Sequence, residues 1–160
     1  MNIRRASNDD SNEIISLITS IYNEYGEIMY TKGADKDLLN IHENYHAKGG
    51  DFIVMVNEID EIIGSHATLP INTNDGVLTF RRLYLKKNYR GEGAGKKLMD
   101  WAVKWSIENQ FKRVEFWSDV RFKRAHEFFE SYGFVKPGEI REMNDGALPY
   151  SEFFFYMKLL

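Results

Sequence analysis

The sequence contains no cysteine and only three prolines among its 160 residues. Without cysteine, the chain has no disulfide, no thiolate nucleophile and no zinc site with cysteine ligands. No run approaches the ~20 apolar residues that cross a membrane, and residues 1–25 lack the long apolar stretch of a secretion signal. We therefore expect a cytoplasmic protein that has no membrane partner.

The sequence also lacks a large excess of either positive or negative charge. The formal net charge is −3, with both signs spread along the chain, so we expect no nucleic-acid partner. Hydrophobic residues make up 43% and charged residues 28%, as in ordinary globular proteins. A chain of this length buries roughly two thirds of its unfolded surface. Since no repeat, low-complexity segment or linker interrupts the sequence, we expect a single domain over residues 1–160.

Hydrophobic periodicity predicts an α/β fold. Polar capping residues at 7–10 precede apolar residues at helical spacing up to Gly26. A second helix is predicted over residues 35–50, and a strand that begins at 134 is broken by Pro137. The other predicted strands cover residues 2–6, 51–57, 61–71, 76–87, 113–119 and 151–160, and the other predicted helices cover 93–109 and 121–133. This order, βα(α)βββαβαββ, predicts a mixed sheet with helices on both faces.

The densest glycine segment is "YRGEGAGKKLMDW", residues 89–101. The first N–H groups of a helix are unpaired and carry partial positive charge, so a helix start binds anions. Glycines at 91, 93 and 95 remove the Cβ atoms that would keep an anion from these donors. The segment therefore predicts a phosphate site, although a glycine-rich turn entering a helix is the plain alternative.

Two common phosphate motifs do not fit. A P-loop has four residues between its glycines and then Lys-Ser/Thr, whereas three residues separate Gly91 from Gly95 and Lys97 takes the hydroxyl position. A Rossmann fingerprint requires the spacing GxGxxG in an opening βαβ unit, whereas this segment has GxGxG after several strands.

Residues 90–95, "RGEGAG", fit the Arg/Gln-x-x-Gly-x-Gly/Ala pattern of the GNAT superfamily of acetyl-CoA-dependent N-acetyltransferases. "LYLKKNYRGEGAGKKLM" resembles that family's fourth strand, pyrophosphate loop and following helix. "RAHEFFESYGF" resembles its later helix, which ends in a Gly-Phe pair, and "GDFIVMVNEIDEIIGSHATL" resembles the preceding hairpin. The resemblance covers nearly the whole chain and is weakest over residues 26–48.

The resemblance implies a GNAT fold, an α/β fold with a mixed, mostly antiparallel central sheet whose fourth and fifth strands splay apart. It implies acetyl-CoA as co-substrate and no metal. The main chain of the fourth strand would pair with the pantetheine amides, and the glycine segment would bind the pyrophosphate. The implied cofactor-binding residues are Leu83, Tyr84, Leu85, Arg90, Gly91, Glu92, Gly93, Ala94, Gly95 and Lys96. For the three strand residues, a place in the core is the alternative.

The implied reaction is direct attack by a primary amine on the acetyl thioester, with the amine on a small molecule. The main-chain N–H of Leu83 or Tyr84 would polarise the carbonyl. Two other functions stay open at this point. One is transfer from another acyl-CoA, and the other is an acyl-CoA-binding regulatory protein with little or no turnover.

One catalytic group of the family is absent. The family's thiolate acid is a tyrosine four residues after an alanine and four before the glycine of Gly-Phe, and counting from Ala125 or Gly133 gives Phe129. Solvent could protonate the thiolate, because a thiol has a pKa near ~8.5. His126 or Tyr132, each about one helical turn from Phe129, could substitute as the acid. Weak catalysis is the third explanation.

The general base is not obvious. Asp119, on the same face of its strand as Glu115, is a candidate to take the amine's proton or to hold a cationic substrate. It is equally suited to cap the helix that begins near Arg121. His66 on the third strand is a further candidate, with a structural role as the alternative. Family members that carry a glutamate on the fourth strand differ from this chain, which has Arg81 and Arg82 there.

By the resemblance, acceptor choice depends on residues 22–37 and 141–152. These segments are rich in tyrosines and acids, which suits a small amine, although an ordinary surface has the same composition. The residues are Tyr22, Tyr25, Tyr30, Tyr150, Glu24, Glu27 and Asp35. The apolar last strand is compatible with a homodimer or with burial in its own sheet.

Overall fold

A computed structural model describes residues 1–159, and its centre is a seven-stranded open sheet. The strands are β1 (Asn2–Arg5), β2 (Asp51–Val56), β3 (Ile62–Asn72), β4 (Val77–Leu85), β5 (Arg113–Asp119), β6 (Ile140–Met143) and β7 (Tyr150–Lys158). The helices are α1 (Ser11–Tyr25), α2 (Ile41–Asn44), α3 (Ala94–Glu108) and α4 (Lys123–Tyr132). Of the helices formed by residues 1–159, none is both long enough and apolar enough to cross a membrane.

The strand order is β1-β2-β3-β4-β5-β7-β6, and every neighbouring pair is antiparallel except β4 with β5. The parallel pair is short, since only Val77 with Arg113 and Leu78 with Val114 are in register. Beyond these residues β4 and β5 separate and leave main-chain groups of both strands without a partner strand. The predicted mixed sheet with splayed fourth and fifth strands is confirmed.

Apolar cores cover both faces of the sheet. Neighbouring strand residues point to opposite faces, so Val54 packs in the core under α1 while Ile53 packs with Leu98 of α3. A third, aromatic core joins α3 and α4 to β5 and β7 through residues such as Phe116 and Phe155. Both faces are therefore buried, as expected for a sheet with helices on each side.

The first helix begins and ends as predicted. Ser7 and Asp10 form a capping box ahead of this helix. The Ser7 hydroxyl accepts the N–H of Asp9, and the Asp10 carboxylate accepts the N–H of Ser7. Gly26 follows the helix with a φ of 75°, a left-handed conformation that glycine adopts without strain. The buried positions Ile14 and Ile18 lie on the face that packs against the sheet.

The predicted second helix over residues 35–50 is wrong. The structure instead has two 3-10 turns, Lys36–Leu39 and His46–Lys48, around the four-residue α2. Leu38, Ile41 and Tyr45 are fully buried anchors whose spacing resembles a helical face. A helix cannot continue between them, because the side chain of Asn40 accepts the N–H of Glu43 and its own backbone is not helical.

The strand predicted from residue 134 is also misplaced. Only Val135 pairs with the sheet there, through an isolated bridge to Tyr156. Regular pairing resumes at Ile140, after Pro137, which has no N–H to donate, and after Gly138 at a φ of 111°. The last residue of the predicted final strand, Leu160, lies outside the described residues.

Strand β4 carries a bulge in the part that has already separated from β5. Ser65 pairs with Tyr84 and Ala67 with Arg81, so Arg82 and Leu83 together face His66. Arg82 has a φ of 61°, which costs energy for a residue with a side chain. The hydroxyl of Ser65 donates to the carbonyl of Arg82 at 2.7 Å and holds this conformation. The bulge therefore lies in the segment of β4 that borders the gap between the two strands.

Candidate active site

Two adjacent cavities lie along the gap between β4 and β5. We call the first the outer groove, which has a volume of 350 Å³ and extends over the start of α3. The second, the inner cavity, has a volume of 180 Å³ and extends toward the loop after α1 and the β6–β7 hairpin. Four residues line both and mark where they meet, namely Leu83, Tyr84, Phe122 and Ala125.

The outer groove contains most residues that the sequence predicted to bind a cofactor. Of those ten, Leu83, Tyr84, Leu85, Arg90, Gly91, Gly93, Gly95 and Lys96 line it. The side chain of Glu92 is exposed, and that of Ala94 is buried in the protein. These two residues can contribute to the groove only through their main chain.

The start of α3 presents unpaired main-chain donors to the outer groove. The N–H of Lys97 makes the first helical hydrogen bond, to the carbonyl of Gly93 at 3.1 Å. The N–H groups of residues 94–96 precede that bond and have no helical acceptor. Gly91 and Gly93 have φ values of 86° and 87°, which the turn into the helix requires.

Neither the backbone conformation nor the packing of the protein requires a glycine at position 95. It lies inside α3 without a positive φ, where glycine costs ~0.5–1 kcal/mol relative to alanine. A Cβ built on it would approach nothing closer than 4.0 Å, at the Phe128 ring. The space above Gly95 belongs to the outer groove, so the glycine leaves room for a ligand to approach the helix start.

Cations near the groove differ in how far they are already paired. Both terminal nitrogens of Arg90 bind Glu24, at 2.7 and 2.8 Å, and Lys96 binds Asp100 at 2.7 Å. Arg124 lines the groove and forms no ion pair with any of residues 1–159. Sequence reasoning missed Arg124, because only the docking of α4 brings it opposite the glycine segment.

The inner cavity has an apolar end and a polar end. The apolar end is lined by His66, Phe80, Met99, Phe116 and Phe129. The polar end is lined by Glu27, Asp35, Arg81, Asp119, Tyr150 and Glu152. Residues 1–159 form no group of three or more metal-ligating side chains that could hold a metal ion.

The residues predicted around the missing tyrosine lie in different places. Phe129 lines the inner cavity, and its ring packs on Phe116 with 4.9 Å between ring centroids. The hydroxyl of Tyr132 donates to Asp100 at 2.6 Å on the outer side of α3, and Tyr132 lines neither cavity. The geometry gives Tyr132 no access to a thioester between β4 and β5.

His126 does not line the inner cavity, but it contacts Ser118, which does. Its Nε2 lies 3.0 Å from the hydroxyl oxygen of Ser118, and Ser118 lines the cavity while His126 packs behind it against Phe155. Burial, with the positive charge of Lys136 acting in the same direction, lowers the pKa of His126 to about 4. The imidazole is therefore neutral at pH 7 and is a poor proton donor there.

His66 is buried at the apolar end. Its Nδ1 lies 3.1 Å from the carbonyl oxygen of Leu98, and its Nε2 has no hydrogen-bond partner. Burial lowers the pKa of His66 to about 4, so this ring is also neutral at pH 7. Its hydrogen bond to α3 gives it a structural role.

Asp119 lines the inner cavity and also fixes the turn before α4. Its Oδ1 accepts the N–H of Arg121 at 3.0 Å and the Nε of the same arginine at 2.9 Å, and its Oδ2 accepts from the terminal nitrogen at 2.6 Å. Both oxygens are therefore occupied. Glu115 pairs with Arg113 at 2.7 Å and does not line the cavity.

The other carboxylates that line the inner cavity differ in whether both of their oxygens accept hydrogen bonds. Glu27 accepts the N–H of Ile28 on one oxygen and Arg121 on the other. Both oxygens of Asp35 are likewise occupied. In Glu152, Oε1 accepts both hydrogen bonds from Arg141, at 2.9 and 2.7 Å. Its Oε2 has no donor among residues 1–159, so Glu152 alone among the carboxylates lining the cavity keeps an open oxygen.

Glu152 lies directly opposite Asp119 in the β5–β7 register. Burial raises the pKa of Glu152, the hydrogen bond from Arg141 opposes this, and the negative charges of Asp119 and Asp145 add to it. A carboxylate with a raised pKa and an open oxygen is suited to accept a proton. From the sequence, Glu152 belonged only to a predicted acceptor segment and had no catalytic role.

Adjacent arginines on β4 have opposite surroundings. All five N–H groups of Arg82 are used, by Asp35, Asp37, Tyr22 and the carbonyl of Ala34. This buried cluster joins the bulge of β4 to the loop after α1. Arg81 lines the inner cavity but makes no hydrogen bond or ion pair with any of residues 1–159.

Sequence comparisons agree with this geometry. The sequence model of the acetyltransferase (GNAT) family matches residues 16–134. An uncharacterized N-acetyltransferase of Archaeoglobus fulgidus is 30% identical over 142 residues, which cover 86% of this chain and 95% of that protein. The uncharacterized N-acetyltransferase YjgM of Escherichia coli is 27% identical over 136 residues, covering 82% of this chain and 80% of its own.

Solved structures show the same fold. A GNAT-family acetyltransferase from Staphylococcus aureus superposes with a TM-score of 0.84 at 26% identity, over 99% of each chain. A phosphinothricin acetyltransferase from Sinorhizobium meliloti, solved in complex with acetyl-CoA, gives 0.77 at 17% identity, over 99% of this chain and 88% of its own. The glycine loop, the splayed strands, the matched family and these relatives together place the chain in the acetyltransferase (GNAT) family, whose members use acetyl-CoA, and make it an acyltransferase.

Proposed function

We propose that the protein transfers the acetyl group of acetyl-CoA directly to a primary amine of a small molecule. The observation that carries this proposal is that the two cavities are adjacent and share lining residues. A groove with main-chain donors and a cavity that holds a carboxylate with an open oxygen are both lined by Leu83 and Tyr84. A donor and an acceptor bound on either side of that junction meet between β4 and β5.

In the outer groove, the helix start and its glycines suit the cofactor's pyrophosphate. The N–H groups of residues 94–96 and the unpaired guanidinium of Arg124 are the groups available to bind it. Arg90 contributes by a different route, because its ion pair with Glu24 and its bond to the carbonyl of Leu85 at 3.0 Å hold the loop in place.

In the inner cavity, Glu152 accepts the proton that the amine must lose. The amine attacks in its neutral form, so an ammonium acceptor first gives one proton to solvent. The nitrogen then forms a bond to the thioester carbonyl carbon, the carbon–sulfur bond breaks, and the next proton from nitrogen goes to Oε2 of Glu152. A main-chain N–H at Leu83 or Tyr84 stabilises the oxyanion. Asp119 acts as a positioning residue through Arg121 rather than as the base, because both of its oxygens are occupied.

The departing thiolate takes its proton from solvent. Phe129 has no hydroxyl, Tyr132 lies on the outer side of α3, and the neutral His126 stands behind Ser118. A thiol with a pKa near ~8.5 is a leaving group that tolerates this arrangement. Family membership supports transfer over simple binding, and a longer acyl-CoA remains the competing donor.

The proposal is tested by measuring release of free CoA thiol with a panel of small primary amines. We expect release above the amine-free background with at least one amine, and loss of that release in Glu152→Gln. Tight binding of acetyl-CoA by calorimetry, with background release for every amine, would contradict the proposal and favour a regulatory acyl-CoA binder. A faster reaction with longer acyl-CoA donors would contradict only the choice of donor.

A further inference from the structure

Arg81 is a cation that forms no hydrogen bond or ion pair with any of residues 1–159, although, against the effect of burial, its positive charge acts with that of Arg82 to lower the pKa of Asp37. It lies half-buried beside Arg82 and lines the polar end of the inner cavity. The nearest arginine-binding acids are used elsewhere, because both oxygens of Asp37 accept from Arg82 and one also accepts from Tyr45. The N–H donors of the Arg81 guanidinium are thus available to a bound molecule.

The other cations at this end of the cavity are not available. Arg82 has all five donors occupied, Arg121 is held by Asp119 and Glu27, and Arg141 is held by Glu152. Among residues 1–159, Arg81 is therefore the one cation lining the inner cavity that is open to a ligand. A guanidinium binds a carboxylate through two parallel hydrogen bonds, which makes it selective for planar anions.

The anionic group is Glu152, which lines the same cavity of 180 Å³. Its Oε1 is paired with Arg141, and among the carboxylates of residues 1–159 that line the cavity it alone keeps an oxygen, Oε2, without a donor. A cavity of this size with one open guanidinium and one open carboxylate oxygen is complementary to a small zwitterion. Around them, Arg82 pairs with both Asp35 and Asp37, and Arg121 pairs with both Asp119 and Glu27, so these groups offer no further open cation.

We propose that the acceptor is an amino acid or a closely similar amino carboxylate, with its amine at Glu152 and its carboxylate on Arg81. This inference rests on the proposed function and adds the substrate class to it. The S. meliloti relative is named as a phosphinothricin acetyltransferase, but at 17% identity it supports only the fold. The assignment here stands on the open donors and acceptors of this cavity.

The test compares matched acceptors that differ only in the anionic group. The common amino acids and their primary amides are assayed for CoA release with the wild-type protein, with Arg81→Gln and with Arg81→Lys. For the preferred side chain, we expect the acid to exceed its amide by about 10- to 100-fold in kcat/KM, the effect of one or two charge-assisted hydrogen bonds. Most of this preference should appear in KM.

In Arg81→Gln the ratio of acid to amide should fall toward one. Arg81→Lys should restore part of it, because lysine supplies the charge without the planar fork. Acetyl-CoA affinity, measured by calorimetry, controls for folding and should be equal in all three proteins. Binding of the N-acetylated amino acid product provides a second readout and should weaken in Arg81→Gln by a similar factor.

Three results would overturn the inference. Equal rates with acids and amides, or a preference for amides, would exclude a carboxylate-bearing acceptor while leaving acetyl transfer intact. A preference for acids that persists in Arg81→Gln would remove Arg81 as its cause. Background CoA release with every amine would refute the proposed function, and this inference with it.

Discussion

The outer groove and the inner cavity are built from different kinds of groups. The groove takes its donors from consecutive main-chain N–H groups at the start of α3 and keeps space open with glycine. The cavity takes its polar groups from side chains on α1, the loop after it, β4, β5 and β7. One site depends on backbone conformation within a short segment, and the other depends on how distant segments pack.

This difference separates general from selective binding. Main-chain donors at a helix start bind any ligand that carries the same pyrophosphate, so they suit a co-substrate shared by a family. Side chains such as Arg81 and Glu152 vary independently and can fit one class of acceptor. A change to the cavity should therefore alter transfer while leaving acetyl-CoA binding intact, and a change to the groove should weaken acetyl-CoA binding.

The largest expected effect is a loss of unfolding free energy when the buried ion pairs of Arg82 are broken. Arg82→Met leaves Asp35 and Asp37 buried without their counter-charge, which we expect to cost about 3–5 kcal/mol of unfolding free energy. Arg81→Met is the matched control, because Arg81 forms no hydrogen bond or ion pair with residues 1–159, and it should cost much less stability than Arg82→Met. Urea denaturation measures both. Equal losses in the two variants would show that the pairs around Arg82 contribute little.

The second largest effect is expected on kcat/KM when the proposed general base, Glu152, is replaced. Glu152→Gln keeps the shape but cannot take a proton, so we expect kcat/KM to fall by about 100-fold or more, within the range of general base catalysis. In the wild type, activity should decline as the pH falls through the raised pKa of Glu152, since the protonated acid is no base. That acidic limb should disappear from the variant's pH profile.

Two measurements keep this prediction specific. Acetyl-CoA affinity should be unchanged in Glu152→Gln, because Glu152 does not line the outer groove. Asp119→Asn should retain the acidic limb, since its carboxylate positions Arg121 instead of accepting the proton. If Asp119→Asn abolished the limb and Glu152→Gln kept it, the two roles would have to be exchanged.

A smaller effect is expected in the groove. Gly95→Val places a branched side chain where the cofactor approaches the helix, and overpacking of this kind should weaken acetyl-CoA binding by about tenfold, or ~1.4 kcal/mol. Gly95→Ala is the control, because it should raise stability by ~0.5–1 kcal/mol with a smaller change in affinity. Calorimetry and thermal unfolding separate the two. Unchanged affinity in Gly95→Val would place the cofactor elsewhere.

The smallest effect is expected at the junction. Phe129→Tyr restores the hydroxyl that the family places there, and we expect kcat to change by less than about threefold, because solvent already protonates a thiolate of pKa ~8.5. Steady-state rates at a saturating acceptor concentration measure this. A rise of tenfold or more would show instead that thiolate protonation limits the wild-type enzyme.

The same contrast explains what the sequence could predict. The glycine segment is local, so its spacing indicates a phosphate site, and the family resemblance that it carries implies residues that line the groove. The sheet follows from strand periodicity. The helix over residues 35–50 was predicted wrongly because Leu38, Ile41 and Tyr45 are spaced like a helical face but anchor separate turns. Local patterns do not show where side chains such as that of Asn40 take over main-chain donors.

The inner cavity was beyond local reasoning for a related reason. For Asp119 the sequence left a general base and a cap near Arg121 as alternatives, and its bonds to the side chain of Arg121 become visible only in three dimensions. Glu152 and Arg81 are ordinary charged residues in the sequence, and their open atoms are recognised only after every neighbouring carboxylate and guanidinium has been matched with its partners. Charge pairing between distant segments carries no periodic signal.

Transfer to an amine is measured most directly by following the acetyl group itself. The protein is incubated with acetyl-CoA labelled in the acetyl carbonyl carbon and with the amino acid that gives the fastest CoA release, and the label is located by carbon NMR. We predict that the label appears in an amide of the amino acid at the same rate as free CoA forms. Label that accumulates as free acetate, or remains in acetyl-CoA, would contradict transfer to an amine.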